Sequence, residues 1–158
     1  MLFRSGAAPG SWSQVVAQAV GPAGTVVALD LLEIAPMPGV QFLLGDMRSE
    51  EDLRRVSAAL GGRPADLVLS DMAPNISGVA ATDQARHREL CEQALAFAQG
   101  HLKPGGALLI KAFQGSGYRE FLDLMKQSFH AVASRKPSAS RDRSSEMYLL
   151  GKGFHPAN

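Results

Sequence analysis

Four ionisable residues stand where apolar stretches of this sequence end. Each stretch is aliphatic or β-branched, and within two residues it reaches Asp30, Asp46, Asp71 or Lys111. In an open parallel sheet, ligands bind outside the carboxyl ends of the strands. One such residue alone fits an ordinary solvated strand end, but four at one edge predict a site. A lysine beside carboxylates is suited to proton transfer.

A turn of small residues over 6–10 leads into a predicted helix. Small residues let the backbone approach a ligand, and the helix start offers free N–H groups. Asp30 lies about twenty residues beyond Gly10, where an acidic residue hydrogen-bonds ribose hydroxyls. The spacing is not G-x-G-x-x-G, which disfavours a nicotinamide cofactor. The turn and Asp30 together predict a nucleoside-bearing cofactor; the alternatives are a plain tight turn with an unrelated Asp30, and Trp12 as a core residue.

Two further segments supply candidate catalytic groups. Residues 70–75, Ser-Asp-Met-Ala-Pro-Asn, leave their strand as a stiff polar loop. Lys111 ends a buried stretch and is a candidate general base, with a snorkelling or structurally paired lysine as the alternative. Predicted strands at 132–134 and 147–150 form a hairpin that brings Glu146 to the same edge as Lys111.

Basic residues cluster beside Glu146 in this prediction: Arg135, Lys136, Arg141 and Arg143. Such a cluster is suited to contacts with the phosphates of a nucleic acid. A solvated basic loop is the alternative. The loop shows no aromatic platform on which a base could stack.

The elements that position these residues alternate along the chain. Predicted strands lie at 25–29, 40–44, 65–69, 107–110, 132–134 and 147–150, and predicted helices at 11–20, 49–60, 82–102 and 117–129. The segment Pro104-Gly105-Gly106 is expected to end the third helix. The alternation predicts an α/β fold: a mostly parallel sheet with helices on both faces and a C-terminal antiparallel strand.

Composition limits the class of protein. The 158 residues fit one domain over 1–158, and 16 Lys and Arg against 15 Asp and Glu leave a net charge of +1, so a nucleic-acid partner needs a local basic patch. Cys91 is expected to be a packing residue, and the four histidines (His87, His101, His130 and His155) show no metal-ligand spacing. His87 and His101 are expected at the surface or end of the long predicted helix. No apolar stretch reaches the length of a membrane span. We expect a cytoplasmic, monomeric protein without a metal.

The motifs together resemble the FtsJ-like family of S-adenosylmethionine-dependent RNA 2′-O-ribose methyltransferases. The resemblance covers nearly the whole chain and rests on these segments: Gly6–Gly10 with Trp12, Asp30-Leu31-Leu32, Gly45-Asp46, Ser70–Asn75 with Ser77-Gly78, Lys111 with Phe113-Gln114-Gly115, and Arg135-Lys136-Pro137 with Ser140-Arg141, Ser144, Glu146 and Tyr148. It implies a Rossmann-like methyltransferase fold, S-adenosylmethionine as cofactor and RNA as substrate.

The resemblance also implies roles for individual residues. The cofactor-binding residues it implies are Gly10, Trp12, Asp30, Asp46 and Asp71, with Asp30 at the ribose and Asp46 by the adenine. Lys111 would be the base for the ribose 2′-hydroxyl, and Asp71 and Glu146 would complete the catalytic group. The implied target is a uridine of large-subunit ribosomal RNA.

The start of the chain departs from the family pattern. Family members have a further N-terminal segment with another catalytic lysine, and Arg4 stands where the family has Asp. We therefore expect an N-terminally truncated chain with a short, weakened central strand. One alternative is an RNA- or ribosome-binding module that has lost catalysis. The other is a methyltransferase of transfer RNA or a messenger cap.

Overall fold

A computed structural model describes residues 2–5, 26–30, 38–70, 77–136 and 146–156. The strands are β1 (Leu2–Ser5), β2 (Val26–Asp30), β3 (Val40–Leu44), β4 (Ala65–Ser70), β5 (Leu102–Phe113), β6 (Phe129–Arg135) and β7 (Glu146–Phe154). The helices in this part of the chain are α1 (Glu50–Ala59), α2 (Ala80–His101) and α3 (Tyr118–Ser128). The helix predicted at 11–20 lies outside the described residues.

The strands form one sheet in the order β3-β2-β1-β4-β5-β7-β6. β1 to β5 pair in parallel, whereas β7 runs antiparallel to both β5 and β6. The α/β class and the C-terminal antiparallel strand are therefore confirmed. β1 is an interior strand between β2 and β4, third in this order, and has four residues, as short as the sequence predicts.

The three described helices pack beside one another. The Ser57 hydroxyl of α1 lies 2.8 Å from Nε2 of His101 at the end of α2, and α2 in turn contacts α3. Right-handed crossovers from β3 to β4 and from β4 to β5 carry α1 and α2 to the same side of the sheet. Their apolar residues and the facing side of the sheet form one core, which includes Val56, Leu95 and Ile110.

β5 begins earlier than predicted. The helix predicted at 82–102 is observed at Ala80–His101, so its end shortly before Pro104-Gly105-Gly106 is confirmed. The strand predicted at 107–110 instead begins at Leu102, so Pro104-Gly105-Gly106 lies within β5 and not before it. The pairing of β5 with β4 shifts register between Ala65 and Leu67, and such an irregularity tolerates a proline within a strand. Beyond it, alternate residues of β5 (Leu108, Ile110 and Ala112) are buried.

Candidate active site at the carboxyl edge of the sheet

Strand register brings Lys111 and Glu146 together. β5 and β7 pair Lys111 with Tyr148, so Glu146, two residues earlier on β7, is the diagonal neighbour of Lys111. Diagonal neighbours on one face of an antiparallel pair are within reach of long side chains. Lys111 Nζ lies 3.9 Å from Glu146 Oε1, and the two side chains are 16% and 28% exposed. The predicted meeting of these residues at the edge is confirmed.

Helix α2 supports the backbone beside Lys111. The Cys91 thiol donates a hydrogen bond to the carbonyl oxygen of Lys111 at 3.7 Å, and Nε2 of His87 lies 3.3 Å from the Cys91 sulfur. The rings of His87 and Phe113 meet edge to face with centroids 4.5 Å apart. The main chain of β5 is thereby held against α2 at its carboxyl end.

The position of His87 differs from the prediction, which was the surface or end of its helix. In the structure it is 7% exposed. The signal that could have found it is helical spacing: the buried residues of α2 include 87, 91, 94, 95 and 98. That pattern is the i, i+4, i+7, i+8 stripe of an amphipathic helix, so His87 lies on its buried face.

Burial keeps both His87 and Cys91 uncharged at pH 7. Burial, and then the charge of Lys111, lower the pKa of His87 to about 4, so its ring is neutral at pH 7. Burial, and then Glu92, raise the pKa of the Cys91 thiol to about 12. The thiol therefore stays protonated, and the prediction that Cys91 is a packing residue is confirmed.

The other half of the edge carries Asp30 and Asp46. β2 and β3 pair Asp30 with Leu44, and Asp46 follows β3 directly after Gly45. The Asp46 N–H donates to Oδ2 of Asp52 at 2.9 Å. A Cβ at Gly45 would lie 2.7 Å from Cγ of Asp52, so only glycine leaves room for this carboxylate.

The carboxylate of Asp46 is partly exposed and pairs with the exposed side chain of Arg48. The Arg48 guanidinium hydrogen-bonds it at 2.8 to 3.1 Å and lowers the pKa of Asp46. Because Arg48 is an exposed side chain, a ligand can replace it at this carboxylate at low cost. Asp46 therefore fits a group that offers N–H or O–H donors, as an adenine or a ribose does.

Not every predicted site residue can be located. Gly10, Trp12 and Asp71 lie outside the described residues, as do Arg141 and Arg143 of the basic cluster. β4 ends at Ser70, which pairs with Ile110 of β5. Arg135 pairs with Tyr148, which also pairs with Lys111, so the three residues form one row across β6, β7 and β5. Arg135 and Lys136 are both exposed.

Comparison with known proteins identifies the family. Residues 3–154 match the model of the FtsJ-like methyltransferases. The chain belongs to the FtsJ-like methyltransferase family. Its match includes Lys111, Glu146, Asp30 and Asp46, the four predicted site residues within the described part of the chain.

Two FtsJ-like relatives are similar over most of their length. Ribosomal RNA large subunit methyltransferase E of Chromobacterium violaceum is 59% identical over 153 residues, which cover 97% of this chain and 75% of the relative. The protein of the same name from Methylobacillus flagellatus is 56% identical over 146 residues, covering 92% and 70%.

Solved structures share the fold. A Plasmodium falciparum protein described as a ribosomal RNA methyltransferase superposes with a TM-score of 0.87 at 24% identity, covering 99% of this chain and 87% of its own. Human methyltransferase-like protein 13, solved in complex with SAH, gives a TM-score of 0.66 at 15% identity, covering 99% and 72%. Among the described residues, no helix is long and apolar enough to cross a membrane.

Proposed function

We propose that this chain transfers a methyl group from S-adenosylmethionine to a ribose 2′-hydroxyl of RNA, at a uridine of large-subunit ribosomal RNA. The observation that carries the reaction is the pair of Lys111 and Glu146, partly buried and 3.9 Å apart at the carboxyl edge of the sheet. The substrate is supported by relatives named ribosomal RNA large subunit methyltransferase E that are 59% and 56% identical to the chain. A cytoplasmic location follows from such a substrate.

The residues that would hold the cofactor are Gly10, Trp12, Asp30, Asp46 and Asp71. Asp30 and Asp46 support this assignment, because they end or follow neighbouring strands at the same edge and offer carboxylate acceptors. When bound, S-adenosylmethionine supplies an electrophilic methyl group whose departure leaves a neutral thioether. No metal is needed to stabilise that leaving group.

In the proposed mechanism, the Lys111 ammonium first releases a proton to solvent, and the neutral amine then accepts the proton of the ribose 2′-hydroxyl. The positive charge that returns to Nζ is offset by the Glu146 carboxylate, 3.9 Å away. Both groups stand on the paired strands β5 and β7, so little reorganisation accompanies the proton transfer. Asp71, the residue after Ser70, would complete the catalytic group.

RNA would reach the site across the row that ends at Arg135. Neighbouring strands lie about 4.8 Å apart, so Arg135 stands roughly 10 Å from Lys111, two strands away. A phosphate next to the reacting ribose could meet Arg135 or Lys136 within that distance. Arg141 and Arg143 are proposed to extend the same contact.

The test uses methyl-labelled S-adenosylmethionine and unmodified large ribosomal subunits. Wild-type chain is expected to place label on RNA as 2′-O-methylribose, and Lys111→Ala to lose most of the transfer while SAH affinity, measured by calorimetry, is unchanged. Glu146→Gln is expected to reduce transfer less than Lys111→Ala, because it leaves the proton acceptor in place.

Other outcomes would contradict the proposal. Equal loss of transfer and of SAH affinity in Lys111→Ala would remove its role as base. Label in transfer RNA or capped RNA, with none in ribosomal subunits, would show that the substrate is one of those RNAs and not ribosomal RNA. RNA binding without any transfer would favour a binding module.

A further inference from the structure

A pocket of about 310 Å³ opens between the first turns of α2 and the β5–α3 loop. Its lining includes Ala112 and Phe113, the two residues that follow Lys111. Pockets for small ligands run from about 300 to 1,000 Å³, so this one has room for a single flat ring system. None of the roles proposed above uses it.

Two glycines shape the wall formed by the β5–α3 loop. Gly115 and Gly117 have φ of 138° and 85°, values that residues other than glycine rarely adopt. A Cβ at Gly115 would lie 2.9 Å from Nε2 of Gln84, and one at Gly117 would lie 3.0 Å from Cδ of Arg88. The loop therefore lies close against α2, and the pocket is defined by this contact.

The floor of the pocket is uncharged and mainly apolar. Cys91, Ala112 and Phe121 are buried there, and the neutral ring of His87 completes it. The rim is polar, with the amides of Gln84 and Gln114 and the charged side chains of Asp83 and Arg88. An apolar floor with a hydrogen-bonding rim is the arrangement that suits a flat heteroaromatic ring.

His87 also has an unused ring nitrogen. Its Nε2 lies 3.3 Å from the Cys91 sulfur, which leaves Nδ1 as the other polar atom of the ring. Nδ1 is buried, and none of the described residues forms a hydrogen bond with it. A buried polar atom in this state is costly, so a ligand edge that offers both N–H donors and lone pairs, and can thus bond either tautomer, would be favoured there.

We propose that this pocket holds a nucleobase of the RNA strand, next to the nucleotide whose ribose meets Lys111. The inference rests on the proposed function, and it deepens it by naming where RNA is held beyond its phosphates. A nucleobase is flat, carries N–H donors on its edge, and stacks on aromatic rings such as Phe113 and Tyr118, which line the pocket. A phosphate is less suited to the pocket, because the floor is uncharged and Arg88, the cation of the lining, already pairs with Glu92 at 2.9 Å.

The test blocks the pocket mouth without touching the core. Ala80, the exposed first residue of α2, lines the pocket, whereas the next residue, Ala81, is exposed and is not among the lining residues. Ala80→Trp should raise the KM for unmodified large ribosomal subunits about tenfold or more, the loss expected for one stacked base. Ala81→Trp, the matched control, should behave as wild type, and both should keep their SAH affinity and thermal midpoint.

Equal KM values for the two variants would overturn the proposal and leave the proposed function standing. Loss of SAH affinity in Ala80→Trp alone would also overturn it, since the pocket would then serve the cofactor. If the wild-type chain transfers no methyl, the proposed function fails by itself. Filter binding of unmodified large-subunit RNA then decides: weaker binding by Ala80→Trp only supports the base pocket, and equal binding overturns it.

Discussion

The two halves of the site edge are held in different ways. Asp46 is positioned by residues within its own turn: Gly45 leaves space, Asp52 accepts its N–H, and Ser49 caps helix α1 by accepting from the Asp52 N–H at 3.3 Å. Lys111 is positioned by two other elements: α2, whose Cys91 lies 20 residues before it, and β7, which begins only at Glu146.

The proposed cofactor residues and the proposed catalytic residues therefore depend on different parts of the fold. A local turn can form whenever its helix forms, because its contacts need no distant partner. The pair of Lys111 and Glu146 exists only when β7 has docked against β5 in the right register. Substitutions should therefore separate cofactor binding from catalysis.

The largest effect is expected from Lys111→Ala. Loss of a general base costs about 10²–10⁴-fold in rate, whereas the contacts of Asp46 are untouched. We expect kcat for methyl transfer to fall by that factor and the Kd for SAH to stay constant. Asp46→Ala is the matched opposite: it should weaken SAH binding and largely keep kcat at saturating cofactor. If both variants lose both properties, the two halves are not separable.

Acid should weaken the support behind Lys111 before it affects Asp46. The pKa of His87 is about 4 in the folded protein against 6.5 when exposed, so between pH 6.5 and 4 the unfolded chain binds the extra proton. The free energy of unfolding should fall by about 3 kcal/mol across that window and be fully retained above it. Denaturant titrations at several pH values measure this fall.

His87→Gln, which cannot titrate, should flatten that pH dependence. An unchanged slope in this variant would show that other groups cause it. The lowered pKa of Asp46 acts only below its ordinary value of 3.8, where protonation costs the contact with Arg48.

Gly151→Ala should destabilise the packing of β7, the strand that carries Glu146. A Cβ at Gly151 on β7 would lie 2.7 Å from Cγ of Phe129, whose ring is 2% exposed and has nowhere to move. Overpacking of this kind costs about 1–3 kcal/mol. Chemical denaturation measures the loss, with Lys152→Ala, at the exposed neighbouring position, as a control that should stay near wild type.

The smallest effect is expected from Ser49→Ala. The substitution removes the side-chain cap of α1, which costs about 1 kcal/mol. SAH affinity should decrease modestly, because the turn that holds Asp46 loses the hydrogen bond between Ser49 and the Asp52 N–H. The kcat at saturating SAH should not change. Ser57→Ala on the same helix, away from this turn, separates a general loss of α1 from a local one.

Much of the architecture could be predicted from the sequence. The helix expected at 49–60 is observed at Glu50–Ala59, and the strand expected at 40–44 is observed unchanged. Hydrophobic runs and the Ser49 cap are local signals, so they can be found by inspection. The predicted start of β5 was wrong, because a proline and two glycines can also enter a strand where its pairing is irregular.

The pocket beside Phe113 could not be predicted, although the residues that line it are visible in the sequence. The segment Phe113-Gln114-Gly115 attracts attention as a motif, but nothing in it says that the loop lies against Gln84 and Arg88. His87 was assigned to the surface because a polar residue on a long helix usually lies there. Helical spacing places His87 on the buried face of α2, but its contact with Phe113 is visible only once β5 lies beside the helix.

Three features can be read from the amino-acid sequence: the order of strands and helices along the chain, the edge at which Asp30, Asp46 and Lys111 stand, and the local turn that holds Asp46. Each of these depends on neighbours within a few residues or on the rule that parallel strands end at one edge. Three others require the folded chain: the 3.9 Å approach of Lys111 to Glu146, the burial of His87 and the pocket beside Phe113. They do so because strand register and helix docking are set by packing between segments that belong to different elements.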